Sequence, residues 1–165
     1  MKRFLILLTA LAALSGPALA QNAGEIARVQ NGGSCPGCNL FQADLAYLDL
    51  PNVNLSGARL RQADLSLATM NGSNFSGADL SVANLFGGRF TGANFVNANL
   101  RDANLVGAHF GSANLSGADL AGAVLSGAEL AEAHGLSQRQ LDAACGDPST
   151  ELPRGLRIPA CRPVR

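Results

Sequence analysis

The stretch Ala78-Asp79-Leu80-Ser81-Val82-Ala83-Asn84-Leu85-Phe86-Gly87 decides the fold, because it contains the same five-residue unit twice in succession. Each unit places a small residue first, Asp or Asn next and a large apolar residue in the centre, followed by two variable positions. Working outward, every fifth residue from Leu40 to Leu130 is large and apolar: mostly Leu, with Met70 and Phe75, Phe90, Phe95 and Phe110. Ala93-Asn94-Phe95 and Ala113-Asn114-Leu115 repeat the unit, which runs nineteen times in all. Self-similarity at a fixed short period is the mark of a solenoid.

One large residue and one small residue per unit are what a narrow interior requires, while the remaining positions carry Asp, Asn, Ser, Gly, Arg and Thr and face water. An amphipathic helix spaces its apolar residues at three and four, and a strand alternates with period two. Neither template accommodates nineteen units of five. Leucine-rich repeats are longer, and the hexapeptide β-helix needs six.

From about Cys38 to Ala133 the chain resembles the pentapeptide-repeat family, whose A-(D/N)-L-x-x signature these residues carry. The resemblance implies an all-β solenoid, a right-handed quadrilateral parallel β-helix with four units per coil, so that residues twenty apart stack on one face. The sequence repeats at that interval on its own account: Phe75 precedes Phe95 by twenty, Phe90 precedes Phe110, and Asn54, Asn74, Asn94 and Asn114 form one series. Nearly five such coils at about 4.8 Å each give a rod roughly 24 Å long. The expected organisation is a leader over residues 1–20, an N-terminal cap over 21–37, the β-helix over 38–134, and a C-terminal helix and tail over 135–165.

The leader is read from Met1-Lys2-Arg3, the apolar run Phe4 to Leu14, and Ala18-Leu19-Ala20 before Gln21. That is a secretory signal peptide with cleavage expected after Ala20. Its apolar run is too short to remain as a membrane anchor, and the mature chain is expected in the periplasm or outside the cell. Both ends of a parallel solenoid need covers. Upstream, Glu25 to Gln30 reads as one or two helical turns with Ile26 and Val29 on one side. Downstream, Ser137 and Gln140 form a capping box between Leu136 and Leu141, and Gly146 reads as the helix stop.

Cys35, Cys38, Cys145 and Cys161 fall two in each flank. In an oxidising compartment an even count reads as disulfides. Three pairings exist in principle. Given the rod length that the resemblance implies, pairing across the flanks exceeds the reach of a disulfide, about 7 Å between Cα atoms, which leaves Cys35–Cys38 and Cys145–Cys161. The Cys35-Pro36-Gly37-Cys38 sequence also has redox and zinc readings. It lacks a following helix to activate a thiol, and His109 and His134 lie far along the rod. No nucleophile, base and orienting residue form a set, so no catalytic, cofactor or metal residue is assigned, and the chain is read as a non-enzyme.

The best-known activity of the resembled family is mimicry of duplex DNA by an acidic rod that binds DNA gyrase. Between Cys38 and His134 there are eight acidic residues but also four arginines, Arg59, Arg61, Arg89 and Arg101, which interrupt a continuous negative column. Export also separates the chain from gyrase. Nor is there a basic stripe for nucleic acid. The adopted expectation is a non-catalytic secreted repeat protein that presents a binding or structural surface. Its interaction face is placed at Tyr47, Leu67, Phe86 and Val106, the apolar residues that interrupt the outward polar rule around Leu45, Leu65, Leu85 and Leu105. The partner expected there is a protein.

Overall fold

The computed structural model describes residues 22–162; the leader and its cleavage site lie outside them. The chain winds into a quadrilateral helix. Parallel bridges join each residue before a central position to its equivalent twenty residues on, from Asn39 with Arg59 up to Asn114 with His134. Five coils follow, at residues 35–54, 55–74, 75–94, 95–114 and 115–134. The ladder begins at Cys35, whose N–H donates to the Asn54 carbonyl at 2.8 Å.

Four faces result, named here by their buried central residues. Face 1 has Cys35, Leu55, Phe75, Phe95 and Leu115; face 2 runs Leu40 to Leu120 and face 3 runs Leu45 to Leu125, both entirely Leu; face 4 has Leu50, Met70, Phe90, Phe110 and Leu130. Phe75 stacks on Phe95 with centroids 4.8 Å apart and Phe90 on Phe110 at 5.5 Å. Edge-to-face contacts join the two stacks across the interior at 5.6–6.0 Å. In the first coil the small positions hold Cys38, Ala43, Leu48 and Val53, and the three that are larger than alanine fill the end where no coil lies beneath.

At most corners the central carbonyl accepts from the N–H three residues on, as from Ala43 to Leu40 at 3.0 Å. The second residue after the centre has positive φ, which defines a type II turn. The Asn or Asp before the centre makes this turn work. Its side-chain oxygen accepts the N–H two residues on, for example Ser56 to Asn54 and Val96 to Asn94, both at 3.0 Å. The repeat therefore selects Asn and Asp for local backbone satisfaction.

The lower end is covered by α1, Ala23–Gln30, capped by Asn22 and with Val29 fully buried. Glu25 accepts the Asn39 N–H at 2.6 Å and Gln30 donates to the Asp44 carbonyl at 2.8 Å, so the helix supplies partners that a missing coil would have given. At the upper end, α2, Gln138–Asp142, carries the complete capping box and buries Leu141. Gln140 also donates to the Leu115 and Ala118 carbonyls, each at 2.9 Å.

Beyond α2 the chain continues as a distorted sixth turn, with Val124 bridged to Cys145 and Glu129 to Glu151. The expected stop at Gly146 is corrected here: α2 ends at Asp142 with Ala143 as its cap. Gly146 is instead a buried strand position whose N–H and carbonyl pair with Pro159 and Cys161 in the tail. A Cβ there would lie 2.7 Å from Thr150 Oγ1, so tail packing is what requires glycine.

Candidate functional site

Each corner position sits on a ridge running along the rod, and the ridge between faces 3 and 4 is the exceptional one. Its residues with positive φ are Tyr47, Leu67, Gly87, Gly107 and Gly127, at φ 62, 56, 61, 65 and 66°. Glycine reaches this region without penalty, whereas Tyr and Leu do so against their preference. Tyr47 is 75% exposed and Leu67 44%, so core burial does not account for the choice. One position earlier on the next coils lie Phe86, 45% exposed, and Val106, half-buried.

The residues form a continuous strip across four coils. Leu67 lies directly below Gly87, where a Cβ would come within 2.7 Å of its Cδ2. The expected location is refined in one respect, because these side chains occupy a corner ridge rather than a flat wall. A further exposed apolar residue, Val82, lies on the neighbouring ridge between faces 2 and 3 at φ 59°. Sequence reasoning missed it because its position after a centre was not recognised as a left-handed corner.

Face 4, beside the ridge, departs from the Asn/Asp rule in every coil after the first. Its outward positions are Asp49, Thr69, Arg89, His109 and Glu129. Asp49 cannot accept a corner N–H, because the residue two positions on is Pro51. At Arg89 the missing acceptor is supplied from the coil below, with Asn71 taking the Thr91 N–H at 2.9 Å. His109 Nδ1 and Glu129 lie 2.8 Å apart. The other faces are more uniform: face 3 carries an amide ladder from Asp64 through Asn84 to Asn104, and Arg101 pairs with Asp119 at 3.2 Å beside face 2.

The structure joins Cys35 to Cys38, with Cα atoms 5.5 Å apart, and Cys145 to Cys161 at 4.7 Å. Among the described residues no group of three or more His, Cys, Asp or Glu is placed to hold a metal ion, and no helix is long and apolar enough to cross a membrane. Concavities at the C-terminal end are open grooves. One, of about 460 Å³, lies between α2 and the fifth coil against Ser137 and Arg139. The Ser137 hydroxyl donates to Gln140, so it serves the helix cap.

Taken together these features describe a narrow capped rod whose variable surface is its ridges and outward columns. Eight copies of the pentapeptide repeat model match residues 38–77, 63–102, 78–117 and 103–134, and the chain belongs to the pentapeptide repeat family. Its fold is the right-handed quadrilateral β-helix of that family. Among solved structures it is similar to HetL, a pentapeptide repeat protein involved in heterocyst differentiation regulation from the cyanobacterium Nostoc sp. strain PCC 7120. That match has 39% identity and a TM-score of 0.61, and covers 64% of this chain and 51% of HetL, so it spans about half the length of that relative. A pentapeptide repeat protein from the Arabidopsis thaliana thylakoid lumen matches at 31% identity and TM-score 0.40, covering 62% of this chain and 71% of that one. QnrB1, a plasmid-mediated fluoroquinolone resistance protein, matches at 22% identity and TM-score 0.42, covering 78% of each chain. A comparison with the curated proteins finds no match.

Proposed function

We propose that this is a non-catalytic, exported pentapeptide repeat protein that acts by binding another protein along the ridge of Tyr47, Leu67, Phe86 and Val106. The observation that carries this reading is the choice of Tyr47 and Leu67 at left-handed corners where the coils above use glycine. These side chains burden the backbone and remain exposed, so their use lies outside the fold. Export is proposed from the basic start, the apolar run and the small residues before Gln21. Disulfides in both flanks fit an oxidising compartment.

The alternative is a topoisomerase-directed DNA mimic. It fits less well, because Arg59, Arg61, Arg89 and Arg101 interrupt the acidic columns and because export would separate the protein from such a target.

The test is a Leu67→Ser, Phe86→Ser double variant of the purified protein. We expect its melting temperature to stay within a few degrees of wild type, while capture of protein partners from a periplasmic extract falls at least tenfold. Undiminished capture by a folded double variant would remove the ridge from consideration, and inhibition of DNA supercoiling by the wild type would favour the mimic.

A further inference from the structure

We infer that the ridge binds a second copy of this chain, with two rods lying antiparallel across a twofold axis at Leu67. The inference rests on the reading of the ridge as a contact surface and names its occupant.

The argument is self-complementarity. A closed pair of identical rods needs a surface that matches itself when one copy is inverted. On the ridge, Tyr47 lies one coil below Leu67 and Phe86 one coil above it. On face 4 immediately beside it, Asp49 lies one coil below Thr69 and Arg89 one coil above. Inverting one rod about the Leu67–Thr69 level therefore puts Tyr47 against Phe86 and Asp49 against Arg89, each twice. Aromatic meets aromatic and carboxylate meets guanidinium. A parallel pair, related by a twofold along the rods, instead sets face 4 of one rod beside face 3 of the other and leaves Asp49 and Arg89 two coils apart, so only the antiparallel pair brings these charges together.

The two charged side chains are available for this. Among the described residues neither Asp49 nor Arg89 takes part in an ion pair; Arg101 pairs with Asp119, and His109 contacts Glu129. Asp49 is the one Asp or Asn at a repeat position whose corner opens with proline, so its carboxylate has no corner N–H to accept. Arg89 stands where Asn or Asp would satisfy the corner, and Asn71 makes good the loss. Neither serves its own corner, and they stand at levels two coils apart, about 10 Å along the rod. On the other side of the ridge Asp64 is already engaged by the Ser66 N–H and the Asn84 amide, at 2.9 and 3.1 Å.

Sedimentation equilibrium on the purified, oxidised protein tests the inference. The expected results are a dimer for wild type that weakens as salt rises, monomers for Arg89→Asp and for Asp49→Arg alone, and recovery of the dimer in the Asp49→Arg, Arg89→Asp double variant. Melting curves establish that each variant is folded. A wild type that stays monomeric at the highest attainable concentration overturns the pairing. So do single variants that remain dimeric, or a folded double variant that stays monomeric. If the pairing fails in any of these ways while Leu67→Ser, Phe86→Ser still abolishes capture of another protein, the ridge keeps its proposed role and only the second copy is lost.

Discussion

At the scale of single residues, the interior tolerates large rings only where a small neighbour yields space. Gly88 occupies the small position before Phe90, and a Cβ there would come within 2.6 Å of the Phe90 ring. Gly88→Ala is expected to destabilise by about 1–3 kcal/mol in thermal or denaturant unfolding, as overpacking does. The same change beside Phe90→Leu should cost measurably less than the sum of the two single changes, because the shorter side chain frees the space. Additive losses would show that the ring and the glycine are not coupled. On the surface the sign reverses. Tyr47 has φ 62° and is 75% exposed, so Tyr47→Gly should leave stability unchanged or raise it by about 1 kcal/mol. A loss of more than about 1 kcal/mol in the same assay would mean that Tyr47 supports the coil, contrary to its placement outside the fold's needs.

At the scale of elements, the caps explain which features a sequence reveals. The capping box of Ser137 and Gln140 and the burial of Leu141 are local, set by residues within one turn of each other, and are legible from the chain alone. The role of Gly146 is not local, since its partners Pro159 and Cys161 come from the returning tail, and the sequence reading misplaced it as a helix stop. The ridge divides the same way. The apolar departures at Tyr47, Leu67, Phe86 and Val106 stand out against the polar rule, but their φ values and the contact of Leu67 with Gly87 emerge only from the coil geometry. The sixth turn has a further non-local device in Asp147, which accepts from the Ser149 N–H at 2.9 Å and the Gly127 N–H at 3.3 Å. The Ser149 hydroxyl, and then these N–H groups, hold its carboxyl below the usual carboxylate range. Its stabilisation is therefore fully present above the unfolded-state value near pH 4 and is lost as pH falls through the lower folded value. Melting temperature measured from pH 5 to pH 2 should fall less steeply for Asp147→Asn, which keeps an acceptor but does not ionise, and identical slopes would refute the assignment.

At the scale of the whole molecule, each coil contacts mainly its neighbours, so stability is distributed along one dimension. The Cys145–Cys161 bond, with a sequence separation of 16, ties the tail over the sixth turn. Opening a loop of that size removes about 3 kcal/mol in the loop-entropy model. A Cys145→Ser, Cys161→Ser variant should accordingly lose hydrogen-exchange protection first in residues 143–161, with the third and fourth coils protected as before. Simultaneous loss along the whole rod would indicate a single cooperative unit instead. The twenty-residue bridge interval has a consequence for how such a chain can change in length. Removing or inserting one whole coil leaves every later side chain on its own wall, so ring columns, leucine columns and ridges remain in line. Removing a single unit of five turns everything above it by a quarter revolution. Rings then stand over leucines, and the apolar ridge is severed halfway along its length. Length can therefore change without loss of alignment in only one denomination, the complete circuit, although the smallest repeating word is four times shorter.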